Sequence, residues 1–337
     1  MEHYLSIPHR IAHGLCPING IRDLIQWRTG RDWSNEFVYG LGQGGGFAYL
    51  RFNSADPPRQ VYWGTASPRQ HKYLAELLMA GFTELENRSF KYAWEKAQEA
   101  VGTGTPPILG PLDMYYLHFY NEIYHQRHIP IHYLLLVGYD KENAYVHDTG
   151  LIEVQSVPLK DLELAWDVNV PGLGKRNRLA ILNIPQEIAS TQTLIRKSIT
   201  DECKMMLKPP VSMIGIPAME KLSREISNWP KTVGIDNTGR CLQHVREYLN
   251  SPPDLMGDHL TAGRDIYIEF LEQAGEMAGL DFSEAIHRLH IAMDMLPNIA
   301  ESIQRENLPD AAAGFAFIAE KEKEAYTILF QRLDEAR

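Results

Sequence analysis

At 337 residues and 38.4 kDa, with 44% hydrophobic and 23% charged residues, the chain has roughly twice the ~150-residue length of a typical domain, which excludes a mini-protein and a disordered segment. Lys and Arg number 33 against 43 Asp and Glu, a net charge of −10 with pI ≈ 5.7, which argues against nucleic-acid binding and mildly favours cationic partners such as amines. Three cysteines, Cys16, Cys203 and Cys241, are too few and too scattered for a disulfide framework or a four-thiolate zinc site.

Residues 1–8 carry neither a basic nor an apolar leader pattern, and the densest apolar run, 134–137, is far short of the ~18 residues of a membrane span. We expect no membrane partner and a reduced, cytoplasmic location. The first predicted helix covers 17–27, with Ile18, Ile21, Leu24 and Ile25 on one side and Pro17 in its first turn, directly after Cys16. The string Gly-x-Gly-x-x-Gly follows at Gly40, Gly42 and Gly45. A dinucleotide site needs a strand before it, a helix opening inside it and an acidic residue about 20 positions on. Here strand-like alternation continues over 46–52 and Gly64 stands where the acid belongs, so a tight turn or a close backbone approach is expected instead.

Amphipathic spacing predicts helices over 70–81 and 89–101, the second capped at Ser89. Apolar runs predict strands at 108–109, 132–140 and 144–149, with 141–143 as a hairpin turn. Between them lie His118, His125, His128 and His132. Pro130 prevents the last three from sharing one helix and no carboxylate pattern accompanies them, so no metal is expected. Asp113 suits a cap or an amine ligand, and Tyr116 beside it suits core or substrate. Lys175, Arg176 and Arg178 read as an exposed basic loop.

Beyond residue 186 the pattern becomes helical, over 191–208, 217–228, 239–249, 262–278, 283–304 and 311–333. The expected fold is α+β: a domain over 1–186 with a buried antiparallel sheet, then an all-α domain over 187–337.

Cys16 stands at a helix start, where unpaired N–H groups and the helix dipole favour the nucleophilic thiolate; a small buried hydrophobe is the alternative. Cys203 and Cys241 sit inside helical patterns. A cysteine nucleophile needs a base and an orienter brought close by the fold. His132 opens an apolar strand and Asp148 lies on the strand after the hairpin. Simple counting leaves the two a few residues out of register, so twist or a bulge is required to join them.

His-Gly-Leu-Cys-Pro-Ile-Asn-Gly (13–20), Tyr-Gly-Leu-Gly (39–42), Gly-Pro-Leu-Asp-Met-Tyr-Tyr-Leu (110–117) and His-Tyr-Leu-Leu-Leu-Val-Gly-Tyr-Asp (132–140) together resemble the N-terminal domain of the butirosin biosynthesis protein H family. The second half, with Gly263-Arg264-Asp-Ile-Tyr267-Ile-Glu-Phe270-Leu271, resembles the uncharacterised helical domain that follows it there. The resemblance implies a papain-like cysteine-peptidase-type fold and an acyl transfer, from a carrier-protein thioester to an aminoglycoside amine in the butirosin member. Carried over, Cys16 is the nucleophile, His132 the base and Asp148 the orienter. Papain-like enzymes place a Gln upstream of the cysteine as oxyanion donor, yet 1–15 contains neither Gln nor Asn. The Cys16 N–H supplies one donor, and Asn19 and Gln43 are candidates for the second.

The expected function is a cysteine-dependent acyltransferase or amide-forming enzyme of secondary metabolism, needing no cofactor. Its partners would be a small-molecule amine acceptor and a carrier-protein or CoA thioester donor, with the basic loop as a docking point for an acidic carrier. Hydrolysis of a small amide, and a non-catalytic small-molecule scaffold, are the competing readings. Homo-oligomerisation stays open.

Overall fold

A computed structural model describes residues 3–12, 14–249 and 260–335, so His13 of the first family-like segment lies outside the described residues. In chain order the first half forms β1 (His3–Tyr4), α1 (Cys16–Thr29), α2 (Asn35–Leu41), β2 (Phe47–Arg51), β3 (Arg59–Trp63), α3 (Ser67–Leu77) and β4 (Gly81–Leu85). It continues with α4 (Phe90–Gly102), β5 (Ile108–Leu112), β6 (His132–Tyr139), β7 (Asn143–Asp148), β8 (Leu151–Pro158), α5 (Leu159–Trp166) and β9 (Leu179–Asn183). The remainder is helical: α6 (Thr191–Leu207), α7 (Gly215–Glu225), α8 (Trp229–Thr232), α9 (Ile235–Leu249), α10 (Arg264–Ala278), α11 (Ser283–Met293), α12 (Leu296–Gln304) and α13 (Leu308–Glu335). The fold is thus mixed α/β, with an antiparallel sheet and a helical C-terminal part.

The chain forms two compact units, one of Met1–Val38 with Ala66–Ala189 and one of Tyr39–Thr65 with Ser190–Arg337. The single cut near 186 expected from composition therefore misses one exchange: the glycine-rich stretch and the β2–β3 hairpin join the helical unit. Their reason is packing. Tyr49 N–H donates to the Met213 carbonyl at 2.9 Å, and Trp229 Nε1–H donates to the buried Tyr49 hydroxyl at 3.1 Å.

The glycine string has its explanation in the same unit. A Cβ on Gly40 would lie 1.9 Å from the Phe270 ring, and one on Gly45 would lie 2.5 Å from the Tyr326 hydroxyl. The Gly45 carbonyl accepts from Tyr326 at 2.8 Å, and the Gly46 carbonyl accepts from Arg264, whose guanidinium pairs with buried Glu322 at 2.8 Å. These glycines let backbone approach aromatic side chains; the stretch leads into β2 and not into a phosphate-binding helix. The expected single helix over 283–304 is two, because Pro297 enters the first turn of α12 and cannot donate back into α11.

In the first unit the sheet order is β4-β9-β5-β6-β7-β8, with β1 also on β6 and every neighbouring pair antiparallel. Helix α1 buries Ile18, Ile21, Leu24 and Ile25 and packs on β6. Leu134, Leu136, Ala144 and Val146 join a core cluster with Trp94 of α4 and Trp166 of α5. Ser89 caps α4, its hydroxyl accepting from Tyr92 N–H. The helix expected over 70–81 ends at Leu77, and Gly81 already begins β4.

Candidate active site

The hairpin of β6 and β7 decides which side chains meet. Near the turn Tyr139 faces Ala144 and Gly138 faces Tyr145; beyond a bulge at Val137, Leu136 faces Val146 and Leu135 faces His147. Facing residues share a side of the sheet, and a one-residue shift exchanges the sides. With the first register continued, Asp148 would stand opposite Leu135, on the other face from His132. After the bulge Asp148 aligns with Leu134 and His132 is its diagonal neighbour on the same face, within reach of a long side chain.

His132 Nε2 lies 2.6 Å from Asp148 Oδ2. Asp148 is fully buried and His132 nearly so. The carboxylate also accepts from Gly150 N–H at 2.8 Å and from the Tyr120 hydroxyl at 2.8 and 2.9 Å. Tyr120 oxygen is in turn 3.2 Å from His132 Nε2, with its ring edge-on to the imidazole. Burial opposes charge on His132, but the negative charges of Asp148 and Cys16 and hydrogen bonds to both outweigh it and raise its pKa to about 10. Burial opposes charge on Asp148 as well, and His132, Gly150 and Tyr120 together hold it below the usual carboxylate value.

Cys16 is the first residue of α1 and is partly exposed, unlike the buried Cys203 and Cys241. Its Sγ lies 3.9 Å from the Ile131 carbonyl, next to His132, and Cys16 is among the groups that raise the pKa of the His132 ring. Because Nε2 is engaged by Asp148, Nδ1 is the nitrogen left for the sulfur. The first turn of α1 is anchored from α3, where His71 Nε2 donates to the Pro17 carbonyl at 2.8 Å; burial holds that ring neutral, its pKa down at about 3. Burial pushes the thiols of Cys203 and Cys241 up, away from the thiolate.

The other residues singled out from the sequence go elsewhere. Asn19 is buried and its amide donates to the Arg10 carbonyl at 3.0 Å. Gln43 belongs to the second unit, in the glycine-rich stretch. Asp113 is a cap: Oδ1 accepts from the N–H groups of Tyr115 and Ile129, and Oδ2 binds His128 Nδ1 at 2.6 Å. Tyr116 packs against the core cluster and edge-on to Tyr115. The basic loop is no free patch. Arg178 is buried, paired with Glu84 at 2.7 Å and bonded to the Gly110 carbonyl, while Arg176 pairs with Asp167 and Lys175 with Glu86.

A second cluster carries no signal in the sequence. Among the described residues, His9, Asp23 and His147 alone bring three metal-type ligand atoms within 4.8 Å of one another. Arg22, fully buried, pairs with Asp23 Oδ1, and both imidazoles face Oδ2 at 2.7 and 3.1 Å. A divalent cation would add to a site whose one carboxylate is already neutralised, so the trio suits hydrogen bonding better than metal binding. His9 is 139 residues from Asp148 and His147 is one of 13 histidines, so no local spacing signal marks them.

Residues 15–149 match the family model described as Butirosin biosynthesis protein H, N-terminal, and residues 160–329 match Domain of unknown function (DUF4872). No curated protein matches the chain. Among the described residues, no helix is long and apolar enough to cross a membrane. The first match contains Cys16, Tyr120, His132 and Asp148, the second covers half of the chain, and the chain belongs to the butirosin biosynthesis protein H family.

Proposed function

We propose that this family member is a biosynthetic enzyme of secondary, antibiotic-type metabolism, a cysteine-dependent acyltransferase that moves an acyl group from a thioester to an amine through an acyl-Cys16 intermediate. The observation that carries the reading is the line Cys16, His132, Asp148, in which a half-exposed sulfur at a helix start meets an imidazole whose far nitrogen is held by a buried carboxylate. A helix opening on the cysteine and packed on a sheet that bears the His and Asp also suits the papain-like architecture expected of the family.

In this mechanism the Cys16 thiolate attacks the thioester carbonyl carbon. The tetrahedral intermediate collapses by breaking the bond to the donor sulfur, which leaves as a thiol with the proton of His132 Nδ1. An amine then attacks acyl-Cys16, His132 takes the amine proton, the amide departs, and the thiolate–imidazolium pair is restored. Asp148 holds the imidazole by Nε2 and balances its charge throughout, as the third member of a triad does. The Cys16 N–H, at the positive end of α1, is the first oxyanion donor. Three unpaired thiols suit a reduced, cytoplasmic setting.

The test is intact-protein mass spectrometry after incubation with acyl-CoA and with a small acyl thioester. An adduct of acyl mass at Cys16, discharged faster by an added amine than by water, is expected. Discharge by water alone makes the enzyme a hydrolase, and no adduct on Cys16 overturns the nucleophile.

A further inference from the structure

The segment after β1 runs along the turn that joins β7 to β8, and His9 is buried against it. His9 Nε2 lies 2.9 Å from the Asp148 carbonyl and 3.0 Å from the Leu151 carbonyl. Carbonyls only accept, so Nε2 carries a hydrogen shared between the two residues that bracket the turn. On the other side of the ring Nδ1 is 2.7 Å from Asp23 Oδ2. That carboxylate is paired with the buried guanidinium of Arg22 and serves the ring as an acceptor, so Nδ1 carries a hydrogen too. With both nitrogens donating, His9 is an imidazolium. Burial opposes that charge, and the Asp23 carboxylate with the two carbonyls overcomes it. His147, stacked on His9 at 4.2 Å, gives the same Oδ2 its Nδ1–H, and burial keeps it neutral.

We propose that His9 is a positioning residue for Asp148, a charged clamp that ties the backbone of the β7–β8 turn to Asp23 on the helix that carries Cys16. Asp23 lies two turns along α1 from Cys16, so one ring joins the elements that present the nucleophile and the orienter. Two further bonds complete the hold: Ala12 N–H donates to the Thr149 carbonyl, and Gly150 N–H to Asp148 Oδ1, both at 2.8 Å. Alanine at position 9 removes the bonds on both sides of the ring and leaves the Asp23 carboxylate short of a donor. Reacting groups respond steeply to small displacements of their supports.

This inference rests on the reading of Cys16, His132 and Asp148 as the reacting unit, and alkylation of Cys16 by iodoacetamide, followed by peptide mass spectrometry from about pH 5 to 10, tests both without a substrate. In the full chain, Asp148→Asn is expected to slow alkylation at neutral pH and displace its pH profile. His9→Ala moves the profile the same way, slower by about tenfold or less at neutral pH, and His9→Gln, whose amide still donates to the carbonyls, recovers part of the loss. A folded His9→Ala with the wild-type profile, beside a displaced Asp148→Asn, overturns the clamp and leaves the reacting unit standing. A wild-type profile in Asp148→Asn overturns the reacting unit, and the clamp with it. If His9→Ala does not fold, long-range 15N spectra of the wild-type chain decide: both His9 nitrogens protonated at neutral pH supports the clamp, and one protonated overturns it.

Discussion

His147 and Asp148 are neighbours on β7 and point to opposite faces of the sheet, and each belongs to a cluster of imidazole and carboxylate. On one face Asp148 holds His132 by Nε2 and leaves Nδ1 to a partly exposed sulfur. On the other, Asp23 is shared by His9, His147 and Arg22, all nearly or wholly buried, and both nitrogens of His9 end on acceptors. In the proposed reacting unit one imidazole nitrogen is left to the sulfur, whereas on the other face both nitrogens of His9 are taken up by buried acceptors.

Three changes divide the two clusters. Cys16→Ser has the largest expected effect, a loss of acyl transfer on the order of 10⁴-fold or more, with no acyl adduct in the intact mass. Asp148→Asn follows, with a loss of roughly 10²–10⁴-fold in turnover at neutral pH. Asp23→Asn strands buried Arg22 and His9, so the expected cost is chiefly in folding, about 3–5 kcal/mol in a urea titration. Should Asp23→Asn reduce turnover as far as Asp148→Asn with folding intact, the separation of reactive from structural cluster would fail.

The clusters also differ in the sign of their pH dependence. His132 is raised from 6.5 to about 10, so the stability from its protonation is fully present below about 6.5 and lost as pH rises through about 10. His147 is lowered by burial, so its contribution is present above the ordinary imidazole value and lost as pH falls through the lowered one. The stability gap between wild type and His132→Gln is therefore expected to narrow toward alkaline pH, and that for His147→Gln toward acid pH. Urea midpoints across the range check both signs.

What the sequence made legible was local. Pro17, Ser89 and the apolar stripe of α1 announce their helices, and Cys16 at a helix start follows from Pro17 alone. The meeting of His132 and Asp148 depends on a one-residue bulge at Val137, which no turn signal predicts and without which the two would lie on opposite faces. In the basic loop Lys175 and Arg176 are exposed, but Arg178 is buried because its pairing is set across 94 residues, where it finds Glu84. The first 65 residues mislead in the same manner. Their family model spans 15–149, yet Tyr39–Thr65 packs with the helical unit, since the partners of its glycines are Phe270 and Tyr326.

Tyr120, hidden from sequence reading among neighbouring aromatics, sets the smallest effect. Its hydroxyl donates to both oxygens of Asp148, and the residue as a whole is half-buried, so water is expected to replace part of the bond lost in Tyr120→Phe. The expected loss lies at the low end of a charged hydrogen bond, about 1.5 kcal/mol, or roughly tenfold in Cys16 alkylation at most. The sign follows from the charge. Without this donor the folded pKa of Asp148 rises toward its unfolded value, so the stability it contributes above the ordinary carboxylate pKa is smaller and is lost at a higher pH on acidification. The carboxylate, less shared, holds the His132 proton no less firmly, so the alkaline limb stays where it is. An acid limb that moves alone assigns Tyr120 to the carboxylate; an alkaline limb that moves with it makes Tyr120 a partner of the imidazole, and the reactive cluster then has four members in place of three.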